Sequence, residues 1–421
     1  MGMRTTPLHR LLVSAWLALA TATALAGQTP AAIVSPEVHF ANAGPQPSPS
    51  DPGSPASHFD RTVTFRIAAP KATEVSFFAD WLVDGQGQNV PQKMEKSADG
   101  VWSLTLGPLA PTTYIYWFSV DGVVMADPVN PRIKLRARGS ASLVDVPVEP
   151  PTRAAQQRRA DPVPWEIHDV PHGTVTINWQ QSTVLNGETR QVWVYTPPGY
   201  EQEPGRHYPV LYLLHGNNDT AAGWTIAGNE NFIFDNLLAA HQAVPMVVVM
   251  PFGHALPYGT RQDANGRNNT AVFEDYLFKD VMPLVEARFR LAPGREERAI
   301  AGLSMGAEQS LYLFFHHLDV FSAAAAFCPS GFPAIATDFP SLLADPKATN
   351  ARIAVLWLGC GRQDPTHFPG TEKLANFLTD HQINHLWHPT EGYHNFALWR
   401  EYLVEFAPLL FHAPAGTAPA P

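Results

Sequence analysis

The residues best suited to nucleophilic chemistry lie in residues 302–306, whose sequence GLSMG matches the pattern G-x-S-x-G. The apolar run 299–303 predicts a buried strand before Ser304, and residues 307–318 after it have helical spacing. In such a strand-to-helix turn, glycines make room for a strained backbone that holds the serine hydroxyl at the edge of a sheet. A serine in an ordinary turn is the alternative, but this context favours Ser304 as a nucleophile.

A serine nucleophile needs a base, which an acid in turn orients; with this motif the chain order is serine, acid, histidine. The acid should follow a later strand, because sites form outside the carboxyl ends of parallel strands. Asp364 lies in the loop after the apolar run 353–358, whereas Asp345 precedes that run and Asp380 falls in a helical stretch. Asp364 is therefore the predicted acid, and a solvated aspartate that caps a turn is the alternative.

The predicted base is His394, which lies between the last predicted strand, residues 385–388, and the closing helix. His388 is the nearest rival, but it lies on that strand. His381, His385 and His388 together resemble a set of metal ligands, yet they straddle a helix end and a strand, so no single face presents all three. We therefore predict no metal site and no cofactor.

Two backbone N–H groups are predicted to stabilise the charge that develops on a carbonyl oxygen under attack. One belongs to Met305, directly after the nucleophile, and the other to Asn217, which follows an apolar run and His215-Gly216. The alternative is that His215 and Gly216 only shape a turn. We expect the helix at 230–240 and neighbouring loops to line an acyl pocket, with these loop residues as candidates: His215, Trp224, His254 and Tyr258.

The framework for these residues is predicted over 171–412, where strands alternate with helices. Compact apolar runs at 210–214, 246–250 and 323–327 are typical of buried, mostly parallel strands. The predicted fold is an α/β-hydrolase fold, a mostly parallel sheet flanked by helices.

A different pattern precedes this framework. Residues 58–148 alternate apolar and polar side chains in short runs, which predicts a small antiparallel all-β sandwich. Two stretches rich in proline and polar residues, 27–57 and 149–170, are predicted linkers, and we expect the tail 413–421 to be disordered. A basic start, an apolar run and small residues predict a signal peptide over 1–26 and hence a secreted or periplasmic protein.

The net charge, the apolar runs and the two cysteines limit the expected partners and disulfides of the chain. A net charge of −10 argues against nucleic acid or an anionic membrane as a partner. Apart from the signal segment no stretch approaches a transmembrane length, so we expect no membrane association after cleavage. Cys328 and Cys360 each follow a predicted strand; buried free thiols are expected, and a disulfide is the alternative.

Together these motifs resemble the esterase D-like group, and within it the feruloyl and acetyl xylan esterases of carbohydrate esterase family one. The likeness spans about residues 170–411 and is carried by these segments: 214–216, 298–306, 360–364, 392–394, 399–400 and 406–411. The resemblance implies Ser304, Asp364 and His394 as the catalytic triad. The chain departs from the family pattern at Ala307 and at Tyr393, where glycines are usual.

Residues 58–148 resemble the family 48 carbohydrate-binding module, an immunoglobulin-like unit often fused to such esterases. The segments that carry this likeness are 63–66, 69–72, 99–102, 114–122 and 127–128. The resemblance implies glycan binding, and strand parity leaves Trp117 on the face opposite Tyr116, where a sugar ring could stack. Trp81 is a second candidate. For both, packing on a neighbouring domain or loop is the alternative.

The resemblance implies hydrolysis of a feruloyl or acetyl ester on plant cell-wall xylan, through an acyl-enzyme at Ser304. Its partner would be an ester-bearing small molecule or a plant polysaccharide. The alternatives are an esterase for siderophores of the enterobactin type, a non-catalytic carbohydrate-binding protein, and acyl transfer to an acceptor other than water. The acidic balance counts against the first alternative, and the complete set of Ser304, Asp364 and His394 counts against the second.

Overall fold

The computed structural model describes residues 33–48, 51–148, 163–330 and 339–412. The predicted signal peptide 1–26, residues 149–162 of the second predicted linker and the tail 413–421 lie outside the described residues. None of the described helices is long and apolar enough to cross a membrane.

Residues 37–146 form two antiparallel sheets whose inward side chains share one core. One sheet has the strand order β1-β2-β6-β5, and the other has the order β4-β3-β7-β10-β9, with β8 paired to β7. The strands are β1 (Glu37–Ser48), β2 (Asp51–Ala68), β3 (Val75–Ala79), β4 (Gln92–Lys93), β5 (Glu95–Lys96), β6 (Val101–Leu106), β7 (Thr112–Val120), β8 (Val123–Met125), β9 (Ile133–Leu135) and β10 (Ser140–Val146). Alternation places Phe65, Phe77 and Tyr116 in the shared core, as expected for a sandwich.

The predicted linker 27–57 is wrong in its extent, because β1 and the beginning of β2 lie within it and pair with each other. β1 is an edge strand, where prolines are tolerated because one side of the strand needs no N–H donors. The segment is also tied to the sandwich by hydrogen bonds from Arg66 to Glu37 (2.7 Å) and from Ser35 to Asp127 (2.6 Å).

Residues from 163 onward form an eight-stranded sheet in the order β11-β12-β14-β13-β15-β16-β17-β18, in which β13 to β18 run parallel. The strands are β11 (Thr174–Gln181), β12 (Thr189–Thr196), β13 (Val210–Leu214), β14 (Val247–Pro251), β15 (Arg298–Leu303), β16 (Ala323–Phe327), β17 (Val355–Gly361) and β18 (Leu386–Thr390). The α-helices are α1 (Glu230–Ala239), α2 (Asn269–Tyr276), α3 (Met282–Arg288), α4 (Met305–His316), α5 (Pro340–Ala344), α6 (Pro346–Asn350), α7 (Phe368–Asp380) and α8 (Phe396–Phe406). Shorter π and 3₁₀ turns lie at Trp224–Gly228, Leu277–Val281, Arg295–Glu297 and Ala407–Leu409.

Both faces of this sheet are covered. Successive residues of β13 alternate between two hydrophobic clusters, one with Tyr212 and Phe314 and the other with Leu211 and Tyr402. Continuous apolar runs suit strands that are buried on both faces. The parallel strands therefore end at one common edge, where the loops that carry the candidate residues meet.

The sandwich packs directly on the α/β part. Ile115 and Trp117 of β7 belong to the same hydrophobic cluster as Trp224 and Trp399. The sandwich and the α/β part, which lie on either side of the 149–170 segment, therefore share a hydrophobic core.

Arg400 on α8 joins the two parts. It is fully buried and donates hydrogen bonds to Thr112 Oγ1 (2.7 Å) and Thr113 O (2.9 Å) of the sandwich, and to Ala227 O (2.6 Å). Burial lowers the pKa of Arg400 to about 10, opposed by the Asp80 carboxylate, so the guanidinium stays charged at neutral pH.

Replacing Arg400 by alanine is expected to lower the free energy of unfolding by about 3–5 kcal/mol, because buried oxygens lose their donor. Denaturation with guanidinium chloride measures this loss. As a control, Arg206→Ala removes a side chain that is 41% exposed and pairs with Glu203 at 3.1 Å, and should cost less than about 1 kcal/mol. Similar small losses for both variants would contradict the joining role of Arg400.

Candidate active site

Ser304 lies at the turn between β15 and α4, in the strand-to-helix context that the motif predicts. Its backbone has φ 52° and ψ −117°, a conformation that costs about 1–3 kcal/mol and is typical of functional sites. A Cβ atom on Gly306 would lie 2.6 Å from the carbonyl oxygen of His215, so only glycine allows α4 to begin this close to the neighbouring strand. The turn therefore presents Ser304 at the edge where the parallel strands end.

The predicted acid and base are hydrogen-bonded to each other. Asp364 follows β17, His394 follows β18, and His394 Nδ1 lies 2.6 Å from Asp364 Oδ2. The other oxygen of Asp364 accepts the backbone N–H groups of Thr366 (3.1 Å) and His367 (3.0 Å). Burial would raise the pKa of Asp364, but hydrogen bonds from the His367 and His394 rings hold that pKa well below its usual range. The acid is therefore ionised at neutral pH.

Ser304, Asp364 and His394 line one pocket of about 340 Å³. Because His394 Nδ1–H donates a hydrogen bond to Asp364, the Nε2 atom of His394 is left to act as a base. The Ser304 hydroxyl makes no hydrogen bond with the His394 ring in this structure, and such bonds commonly tighten only when substrate binds. The arrangement can support nucleophilic attack by a serine.

The two residues predicted to supply the oxyanion donors lie beside Ser304. Met305 is the first residue of α4, where backbone N–H groups have no partner within the helix. Asn217 follows β13 and lines the same pocket as Ser304. Neither N–H donates a hydrogen bond within the part of the chain that the structure describes. A Cβ atom on Gly216 would lie 2.6 Å from Leu303 Cδ1, so glycine is needed where this loop approaches the nucleophile.

His367 belongs to the site although sequence reasoning missed it. Its Nδ1 lies 3.0 Å from Asp364 Oδ1, and its ring stacks on that of His394 with centroids 3.8 Å apart and planes 10° apart. Asp364 therefore holds one imidazole ring with each of its oxygens. The available signal was the i, i+3 spacing of Asp364 and His367 directly before α7.

Both cysteines are free, buried and beside the acid and base. Burial would raise the pKa of Cys328, but interactions with Cys360 and His394 lower it. Burial would likewise lower the pKa of His394, but Asp364 and Cys328 raise it to about 9. The thiolate form of Cys328 and the protonated form of His394 thus stabilise each other.

Replacing Cys328 by alanine is expected to lower the pKa of His394. A general base must be neutral, so kcat/KM rises as the pH passes the pKa of His394, and this rise should move to lower pH by about one unit. Profiles of kcat/KM against pH for the wild type and Cys328→Ala measure the shift. A rise that stays at the same pH would contradict the influence of Cys328.

Metal binding is restricted by the partners that the candidate ligands already have. Of the three histidines considered as metal ligands, His381 and His385 bond to nearby backbone carbonyls and His388 pairs with Glu405. Among the described residues, one set has the spacing of metal ligands: Cys328, Asp364 and His394, with donor atoms within 4.8 Å of one another.

His215 and His254 do not line the pocket as predicted. His215 is 1% exposed: its Nε2 accepts the N–H of Gly253 and its Nδ1 donates to Gly216 O, both at 2.8 Å. Burial lowers the pKa of His215 to about 4, so the ring is neutral. His254 Nε2 donates to Asn217 O (2.7 Å). Both rings position the loop that carries Asn217.

Trp224 and Tyr258 are also absent from the described pocket lining. Trp224 is wholly buried, and its Nε1 donates to Leu214 O at 3.0 Å. Tyr258 lies under the guanidinium of Arg138, which is 4.4 Å from the ring centroid. These predictions were wrong because nearness in sequence to the site does not decide whether an aromatic ring faces the pocket or fills a core.

The predicted sugar-stacking role of the two tryptophans is not supported by their surroundings. Trp81 packs on Tyr114 in the sandwich, with ring centroids 4.5 Å apart. Trp117 does lie on the face opposite Tyr116, but the α/β part covers that face and leaves Trp117 only 8% exposed. No broad ring face of Trp117 is open to a polysaccharide.

The sandwich instead contributes side chains to the pocket of Ser304. The contributing residues include Asp80, Ile115, Trp117, Lys134 and Arg136. Sequence reasoning assigned none of them to this pocket, because a local pattern does not show which face of the sandwich packs against the α/β part.

The Esterase family model matches residues 182–410, more than half of the chain. The chain is 28% identical over 357 residues to an endo-1,4-β-xylanase/feruloyl esterase of Xylanibacter ruminicola, which covers 82% of this chain and 44% of that protein. The chain spans less than half the length of the curated relatives it matches.

Solved structures show the same fold. The enterobactin esterase of Shigella flexneri, in the presence of 2,3-dihydroxy-N-benzoyl-serine, aligns with a TM-score of 0.59 and 18% identity over 90% of this chain and 97% of that chain. The ferulic acid esterase of Anaeromyces mucronatus in complex with ferulic acid has a TM-score of 0.51 and 24% identity, over 58% of this chain and 93% of that chain. The first likeness includes the sandwich region, whereas the second spans little more than half of the chain.

Proposed function

Because the chain belongs to the Esterase family, we propose that it is a serine carboxylic-ester hydrolase with Ser304 as its nucleophile. The observation that carries this proposal is the 2.6 Å hydrogen bond between His394 and Asp364 in the pocket that Ser304 lines. An ionised, buried acid that orients a histidine beside a strained serine is the arrangement that serine hydrolysis needs.

In the proposed reaction, Ser304 Oγ attacks the ester carbonyl while His394 Nε2 takes the hydroxyl proton. The N–H groups of Met305 and Asn217 stabilise the resulting oxyanion. His394 then gives its proton to the departing alcohol, which leaves the acyl group on Ser304. Water, activated by His394, attacks this acyl-enzyme and releases the acid.

The proposed substrate is a feruloyl or acetyl ester on plant cell-wall xylan. The similarity over 82% of the chain to a xylanase/feruloyl esterase supports this substrate class. Export through the N-terminal signal would bring the enzyme to such a polymer. The sandwich, which we propose to be immunoglobulin-like, would act here as a wall of the active site, because its side chains line the pocket.

Hydrolysis of methyl ferulate, acetylated xylan and a catecholate ester by the full chain tests this proposal. We expect acid release from methyl ferulate or acetylated xylan that depends on Ser304. Cleavage of the catecholate ester alone would instead favour a siderophore esterase. Cleavage of none of the three esters would overturn the proposed activity.

A further inference from the structure

The hairpin of β9 and β10 brings the sandwich to the nucleophile. Its backbone contacts the loop that carries the predicted oxyanion donor, since Ala137 N donates to Asn218 O at 3.4 Å. Lys134 at the end of the same hairpin forms a buried ion pair with Asp219 of that loop. Residues 136–139 at the tip of the hairpin are thereby fixed beside the pocket.

Arg136 at this tip is held in a layered stack. Its guanidinium lies 3.8 Å from the centroid of the Trp117 ring, and Trp117 stacks on Phe78 with centroids 5.7 Å apart and planes 6° apart. Stacking occupies a face of the planar guanidinium, while its N–H donors lie in the plane and remain at the edge. The stack therefore fixes the direction of these donors.

The donors of Arg136 have no acceptor in the described part of the chain: none of its side-chain N–H groups makes a hydrogen bond or an ion pair there. The charged side chains next to Arg136 make contacts with other groups. Lys134 is paired with Asp219, and Asp80 accepts the N–H of Ile115 at 3.2 Å. Burial lowers the pKa of Arg136, and attraction to Asp80 and Asp219 opposes this lowering.

Resting on the proposed esterase function, we propose that Arg136 is a specificity-determining residue that binds a carboxylate of the ester substrate. A planar, stacked guanidinium with open edge donors matches the two oxygens of a carboxylate. Arg136 and Ser304 line one pocket, so the carboxylate and the scissile ester belong to one bound molecule. The carboxylate can belong to the alcohol part or to the acyl part of that ester.

Two matched pairs of esters distinguish these sources. In the first pair the charge lies in the alcohol part: the feruloyl esters of glycolic acid and of glycolamide. In the second pair it lies in the acyl part: the methyl esters of 4-carboxycinnamic and 4-carbamoylcinnamic acid. We expect the wild type to prefer the carboxylate member of one pair, and that pair identifies the source.

Arg136→Gln should lower kcat/KM for the preferred carboxylate ester by about tenfold or more, and for its neutral partner by less than about twofold. Arg138→Gln is the matched control, because Arg138 lies on the same tip but over Tyr258 and outside the pocket lining. It should change neither value.

The proposal is overturned if the wild type prefers neither charged ester, or if Arg136→Gln lowers both members of the preferred pair equally. The substrate preference is measured on the wild type alone, so it tests the proposal even if Arg136→Gln does not fold. Failure of the esterase function has a different signature, since the wild type would then hydrolyse neither these four esters nor acetylated xylan, and both proposals would fall.

Discussion

Replacing Ser304 by alanine is expected to lower kcat by about 10⁶-fold, because the attacking oxygen is lost and only the oxyanion donors and binding contacts remain. The turn itself should persist, since alanine meets the same backbone strain and the hydroxyl makes no hydrogen bond within the described residues. Steady-state hydrolysis of an aryl ester measures kcat, and thermal unfolding checks the fold.

Ser310 provides the matched control for this change. It lies on the same helix, is buried, and donates to Gly306 O at 2.7 Å. Ser310→Ala should retain kcat within about a few fold and lose roughly 1 kcal/mol of stability. If the two serine variants lost activity equally, Ser304 would not be the nucleophile.

Replacing Asp364 by asparagine is expected to lower kcat by about 10⁴-fold. The amide can donate a hydrogen bond to His394 Nδ1, which would then leave the proton on Nε2, where the base is needed. The loss of the carboxylate also removes the charge that helps to raise the pKa of His394. The variant should therefore bind substrate while its serine is no longer activated, and kcat should fall far more than KM rises.

Asp345 provides the matched control for this change. It shows whether kcat falls on the loss of any carboxylate or only on the loss of the Asp364 carboxylate. The Asp345 side chain accepts the N–H of Ala348 at 3.0 Å at the start of α6, and Asp345 is not among the residues that line the pocket. Asp345→Asn should leave kcat unchanged. An Asp364→Asn variant with more than about a tenth of the wild-type kcat would show that another group orients the base.

The candidate nucleophile, acid and base could be proposed from the sequence because each proposal depends on local rules. A glycine-flanked serine between a strand and a helix has one geometry, and the loop after each parallel strand must open at one edge of the sheet. Asp364 and His394 were separated from their rivals in this way, and the structure places them within hydrogen-bonding distance. The buried free state of the cysteines is also the state that their positions after core strands favoured.

What the sequence could not predict depends on contacts between distant parts of the chain. Strand parity correctly placed Trp117 opposite Tyr116, but parity does not say that a second domain covers that face. Arg136 carries no motif, and it matters only because the hairpin tip meets the pocket. His215 and His254 were placed near the right loop, but their role followed from burial and from partners that no spacing reveals.

The proposed mechanism requires a covalent acyl-enzyme at Ser304, and mass spectrometry of the intact protein tests this intermediate directly. The full chain is mixed with a 4-nitrophenyl ester and quenched with acid during the first turnover, and the adduct is then located by peptide mapping. We predict a mass increase equal to the acyl group, carried by Ser304 and missing from Ser304→Ala. An adduct on another residue of the wild type, such as Cys328, or an equal adduct in Ser304→Ala, would contradict the account.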